Sequence, residues 1–130
     1  MNTEAIAGCM KLSFANTPFP VVMRELAAAG VHAYTADLIA LRKTYYDAGS
    51  ESVDESLPLT ASPAIAENFD RDAVPATVQA IQRREIGYAD FLRQIMAAGC
   101  ASYRVFFRGR KTIYFGRNGD FHVENFPSQP

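Results

Sequence analysis

The chain has 130 residues, thirteen of them basic and fourteen acidic, for a formal net charge of -1 at pH 7. That balance excludes bulk electrostatic attraction to nucleic acid or to a membrane surface as an argument for function. The length fits one domain, residues 1–130, which can bury roughly two thirds of its unfolded surface and fold without disulfide or metal.

The N-terminus, MNTEAIAGCM, lacks a basic start and an unbroken apolar run, so neither a signal peptide nor a membrane span is expected and the cytoplasm is the expected compartment. Thr3 to Phe14 reads as a first helix with Ile6 and Met10 on its buried stripe. Pro18 and Pro20 interrupt the pattern, and a second helix is expected from Val21, with Val22, Leu26 and Ala29 inward and a stop at Gly30. Tyr34 to Leu38 and Thr44 to Tyr46 read as extended. Ser50 to Pro63 is polar, acidic and broken by prolines, which suggests an exposed connection with a short edge strand at Leu57 to Leu59. Asp70 or Asp72 can cap a third helix over Ala73 to Arg84, with Pro75 in its first turn.

After Gly87 the pattern is a helix followed by a three-stranded meander. Phe91, Ile95 and Ala98 share a helical face that closes at Gly99. Tyr103, Val105 and Phe107 then alternate with Arg104, Phe106 and Arg108. Thr112 to Phe115 form a second strand, Asn118-Gly119 is a hairpin turn, and Phe121 to Phe126 form a third strand that should stop near Pro127. The fold class expected is therefore α+β, with helices packed on a largely antiparallel sheet.

An internal match supports that organisation. A shift of 69 lays RELAAAGVHAY (Arg24 to Tyr34) on RQIMAAGCASY (Arg93 to Tyr103), and a shift of 68 then lays Arg42-Lys43-Thr44 on Arg110-Lys111-Thr112 and Tyr46 on Tyr114. Repeat-like halves, about 20–49 and 88–119, would each be a helix, a strand, a turn and a strand arranged about one sheet. Apolar character is kept at Tyr34 with Tyr103, Ala36 with Val105 and Leu38 with Phe107, so these pairs should face the core. Thr35, Asp37 and Ile39 instead face Arg104, Phe106 and Arg108, which marks the outer face as the place where the halves differ.

Phe91, Ala98-Gly99, Tyr103, the strand through Phe107, Tyr114-Phe115-Gly116, Asn118-Gly119 and Phe126-Pro127 together resemble the YbcV-like family of bacterial and phage-associated proteins of unknown function. Phe19-Pro20, Leu26, Ala29-Gly30 and Tyr34 resemble its N-terminal half, and Cys100 replaces the valine common at that place. Members are sometimes labelled phage envelope protein. The resemblance implies a compact α+β domain and carries over no catalytic motif.

No phosphate-binding glycine loop, serine elbow or zinc spacing is present, and Cys9 and Cys100 read as small apolar core residues, so no metal or cofactor is expected. His32 reads as a surface or turn residue. His122 and Glu124 lie two apart on one strand face, a spacing that can place a base beside a carboxylate. Seven acids lie between Asp47 and Asp72, whereas six bases and no acid lie from Arg93 to Arg117.

The binding residues read from this pattern are Arg104, Phe106, Arg108, Arg110, Lys111, Tyr114 and Arg117, on an outer face where cations and rings interleave. The functional expectation is a non-enzymatic binding or interaction module that self-associates as a homodimer. Two alternatives stand beside it: weak binding of single-stranded nucleic acid or another polyanion by that face, and a small-molecule-binding domain or enzyme with a pocket near His122 and Glu124.

Overall fold

The computed structural model describes residues 1–127, so the last three positions of the expected domain lie outside the described residues. Helices α1 (Thr3–Phe14) and α2 (Phe19–Ala28) precede strands β1 (Ala33–Asp37), β2 (Arg42–Tyr46) and β3 (Ser52–Ser56). Helices α3 (Ala73–Gln82) and α4 (Tyr88–Ala97) then precede β4 (Cys100–Phe106), β5 (Lys111–Gly116) and β6 (Phe121–Asn125). The six strands form one sheet in the order β3-β2-β1-β4-β5-β6, with every neighbouring pair antiparallel. The α+β class read from the sequence is the one observed.

Local chemistry explains the element boundaries. Asn2 caps α1, its Oδ1 accepting the Ala5 N–H at 3.0 Å. Helix α2 begins at Phe19 rather than Val21, because Pro20 sits in the first turn, where no N–H is needed. It closes at Gly30 (φ +94°), where Val31 N–H reaches Leu26 O and Gly30 N–H reaches Ala27 O. Between the two candidate caps of α3, it is the Asp70 carboxylate that accepts the N–H groups of Asp72 and Ala73, and those bonds hold its pKa below the ordinary carboxylate value.

The polar stretch after Ser50 holds a strand that its composition concealed. The edge strand lies at Ser52–Ser56, before the position expected, and Leu57 and Leu59 are buried beyond it. An edge strand tolerates Ser, Asp and Glu because one side of its ladder stays in water.

All four helices lie on one face of the sheet and share a core with Tyr34, Ala36, Tyr45, Tyr103, Val105 and Tyr114. The opposite face carries no helix among the described residues. The expected inner rows Tyr34, Ala36 and Leu38 and Tyr103 and Val105 are buried, while Phe107 is half-buried.

The order of two helices and three strands occurs twice, with α2 and α4, and β3 and β6, beginning and ending 69 positions apart. Registers follow the same offset: Tyr34 opposes Tyr45 as Tyr103 opposes Tyr114, and Ala36 opposes Lys43 as Val105 opposes Thr112. Leu41 and Arg110 both sit at φ +53° between their strands. This corrects the shift of 68 after the turn. A slip of one residue would exchange the two faces of the strand, so Lys43 corresponds in place to Thr112, and Tyr45 to Tyr114.

Gly30 and Gly99 share φ +94° but differ in surroundings. A Cβ on Gly99 would collide with the backbone of Asn68, whereas on Gly30 it would meet Met1 at 3.5 Å. Urea titration should show Gly30→Ala losing ~1–2 kcal/mol from the left-handed conformation and Gly99→Ala losing roughly 1–3 kcal/mol more from overpacking. Equal losses would show that the contact with Asn68 does not constrain this turn.

Candidate functional site

A cavity of about 510 Å³ opens on the helix-covered face of the sheet's C-terminal half. Its floor is made by inward side chains of the central strands, Tyr34, Tyr103, Val105, Thr112 and Tyr114, with Glu124 at the β6 end. Tyr88 and Phe91 of α4 form one wall, Val78 and Ile81 of α3 another, and Phe19 and Phe126 stand at the rim. The rim rings meet edge to face, with centroids 5.5 Å apart.

The rings of the floor form a continuous network. Tyr103 and Tyr114 are 5.4 Å apart, and Phe91 lies 6.4 Å from each at a steep angle. The hydroxyls of Tyr88 and Tyr103 share a hydrogen bond of 2.7 Å. Burial raises the pKa of Tyr34, Tyr103 and Tyr114, as it does for Tyr45 in the N-terminal half. At neutral pH these phenols are neutral hydrogen-bonding groups rather than bases.

His122 and Glu124 do share a face, as their spacing implies. His122 Nε2 lies 2.8 Å from Glu124 Oε2, and the imidazole stacks on Tyr114 at 6.4 Å. Glu124 lines the cavity and His122 does not. Among the described residues no group of three or more His, Cys, Asp or Glu could hold a metal ion. Neither thiol is activated: burial raises the pKa of Cys9 and pushes Cys100 up to about 12.

The basic and aromatic residues singled out from the sequence do not converge on one surface. Arg104 and Phe106 lie on the outer face, with the Arg104 guanidinium 4.8 Å from the Tyr46 ring centroid and 5.3 Å from that of Phe106. Lys111 opposes Phe106 in register and joins them. Tyr114 and Thr112 point the other way, because Tyr114 opposes Tyr103 and Thr112 opposes Val105; Tyr114 belongs to the core and not to the outer face. Arg108 is exposed in the β4–β5 turn, where Arg110 lies over Phe126 at 5.6 Å and donates to Pro127 O at 3.3 Å. Arg117 stands in the β5–β6 turn at the other end of the strands, beside Leu38 and Ile39.

Sequence reasoning missed Lys43. It is only 3% exposed, and its Nζ lies 5.1 Å from the Tyr34 ring centroid and 4.7 Å from that of Tyr88. The signal was available in the strand alternation, since Lys43 is an inward position between Tyr45 and Leu41. Alignment on Lys111, an outward residue, concealed it.

A family model described as "Protein of unknown function (DUF1398)" matches residues 15–125. A comparison with curated proteins finds no match.

The buried phenols set a pH limit on the fold. Their folded pKa values exceed the unfolded value of ~10, so their contribution to stability is full below that pH and is lost as pH rises through the folded values. Stability should fall above pH ~10 by up to ~1.4 kcal/mol per pH unit for each buried tyrosine. In an alkaline titration, the phenolate absorbance of Tyr34, Tyr45, Tyr103 and Tyr114 should appear together with loss of circular dichroism. Ionisation of all tyrosines in a chain whose circular dichroism is unchanged would contradict this.

Proposed function

The chain belongs to the DUF1398 family, and we propose that it is a non-enzymatic module that binds a small, largely apolar molecule in the cavity between the sheet and helices α2, α3 and α4. The observation that carries this reading is the cavity itself: about 510 Å³, floored by tyrosines and bounded by Phe91, Val78 and Ile81, with Glu124 at one end and Arg84 and Glu85 also in its lining. That volume and that mixture of apolar walls with few polar groups suit a small-molecule site. Neutral phenols and unactivated thiols favour holding a ligand over turning it over. The affinity with YbcV-like proteins belongs to this proposal; the N- and C-terminal motifs support it, and it adds no ligand.

A thermal-shift screen of neutral aromatic and aliphatic fragments tests the site. Ligands at about 100 times their Kd should stabilise the chain by ~2.7 kcal/mol. Thr112→Phe, which fills the floor, should abolish those shifts while leaving the circular dichroism spectrum intact. Fragment binding that survives Thr112→Phe would place the ligand elsewhere.

The outer sheet face supports a second reading, self-association. Phe121 is 57% exposed and Val123 38%, and Ile113, Phe115 and Phe106 continue the same face with only partial cover. Outward charge is uneven: the N-terminal half carries Asp37 and Asp54 against Arg42, whereas the C-terminal half carries Arg104 and Lys111. A second copy related by a twofold axis can oppose these signs while its own apolar strip covers this one. Nucleic acid is the weaker occupant, because Arg104 is already held between two rings and the remaining cations are spread over both ends of the strands. No described helix is long and apolar enough to cross a membrane.

Sedimentation at high micromolar protein and low salt should show a dimer, and Val123→Lys should return it to monomer without loss of thermal stability. A wild type that sediments only as monomer contradicts the self-association reading.

A further inference from the structure

The matched registers of the two halves give the cavity a built-in comparison. In the N-terminal half, Lys43 lies between Ala36 on one side and Glu55 on the other, and its ammonium rests against Tyr34 and Tyr88. In the C-terminal half, the corresponding place is held by Thr112, between Val105 and Glu124. Tyr103 stands 69 positions beyond Tyr34, and Phe19 stands 69 positions before Tyr88. Thus two rings and a carboxylate recur, while the long cationic side chain is replaced by a short hydroxyl.

The cavity opens where that cation is missing. Thr112, Tyr103, Phe19 and Glu124 all line it. Lys43 does not, although the Tyr34 and Tyr88 rings that its ammonium touches do. It makes no ion pair among the described residues; two ring faces lie about 5 Å from its ammonium, and Glu55, whose buried Oε1 has no hydrogen-bond partner, is its neighbour in register.

Building on the reading of the cavity as a ligand site, we infer that its ligand is an organic cation, an amine on an apolar body, whose ammonium group takes in the C-terminal half the place that the Lys43 ammonium takes in the N-terminal half. Tyr103 and Phe19, which line the cavity, are the rings that correspond to Tyr34 and Tyr88 around the Lys43 ammonium, and an aromatic face attracts such a group. Glu124 supplies the counter-charge, its Oε2 lying 2.8 Å from His122 Nε2. Glu85 and Arg84, which also line the cavity, offset each other in charge. The apolar body lies against Phe91, Val78 and Ile81, and an anionic ligand would meet two carboxylates, Glu85 and Glu124, against one cation, Arg84.

Isothermal titration of the full chain at low salt with three probes of one shape tests this: 4-phenylbutylamine, 4-phenylbutanol and 4-phenylbutanoate. The amine should bind about tenfold more tightly than the alcohol, a difference of ~1.4 kcal/mol, and the carboxylate more weakly than either. Glu124→Gln should bring the amine to the level of the alcohol. Thr112→Lys, which gives this half the side chain that the other already has, should abolish amine binding with folding intact by circular dichroism. Alcohol binding with no preference for the amine, in the wild type, overturns the inference and leaves the cavity reading standing. Failure of all three probes, together with failure of the neutral fragment screen, overturns both. Amine binding that Thr112→Lys does not weaken also overturns the inference, since the cation would then lie elsewhere.

Discussion

The antiparallel pairing of β1 with β4 is the constraint on which the rest of the molecule depends. Thr35 opposes Arg104 at its centre, and the pairs on either side, Tyr34 with Val105 and Ala36 with Tyr103, exchange with one another at the 69-residue offset. Because side chains alternate along a strand, this register assigns the inward and outward rows of β1 and β4, and the four further registers carry the assignment to β2, β3, β5 and β6. Tyrosines 34, 45, 103 and 114 fall on the helix side, and Arg104, Phe106, Ile113 and Val123 on the other. Each helix pair then has a row of rings to cover, and the core follows.

Because element order and strand register recur at the 69-residue offset, the positions where the two halves differ are informative. Lys43 against Thr112 changes the volume of one inward side chain, Phe19 against Tyr88 changes a hydroxyl, and Val53 against His122 changes what stands beside the β-edge carboxylate. Leu57 and Phe126 occupy corresponding places, their N–H groups bonded to Leu41 O and Arg110 O at 2.8 and 2.9 Å. Leu57 is buried, whereas Phe126 lies at the rim of the open cavity. The N-terminal half is closed by its own side chains, and the C-terminal half is left to be filled. The tight approach of Gly116 to Phe69, where a Cβ would stand 2.9 Å from the ring, shows that the same half is densely packed on its other side.

Much of this frame was legible because it rests on local periodicity. The alternation of Tyr103 to Arg108, the glycine stops at 30 and 99 and the Asn118-Gly119 turn each specify one geometry, and the structure contains those elements. The polar run Ser52–Ser56 was not legible as a strand, since an edge strand has few apolar requirements. Placement of Tyr114 failed for a different reason. Two strands joined by a turn do not declare which parity faces the core, and the matching letters Arg-Lys-Thr favoured the register that is off by one. The cavity was least legible of all: it is made by the shortness of Thr112 among side chains from distant elements, and missing volume leaves no motif.

The place where an amine rests in the cavity decides whether the C-terminal half takes up the cation that it lacks. A crystal grown with 4-phenylbutylamine would settle it by difference density in the cavity. The account predicts a phenyl ring against Phe91 and a nitrogen between the Tyr103 and Phe19 rings, within hydrogen-bonding reach of Glu124. Density for the probe on the outer sheet face, or a probe with its amine turned away from Glu124, would contradict it.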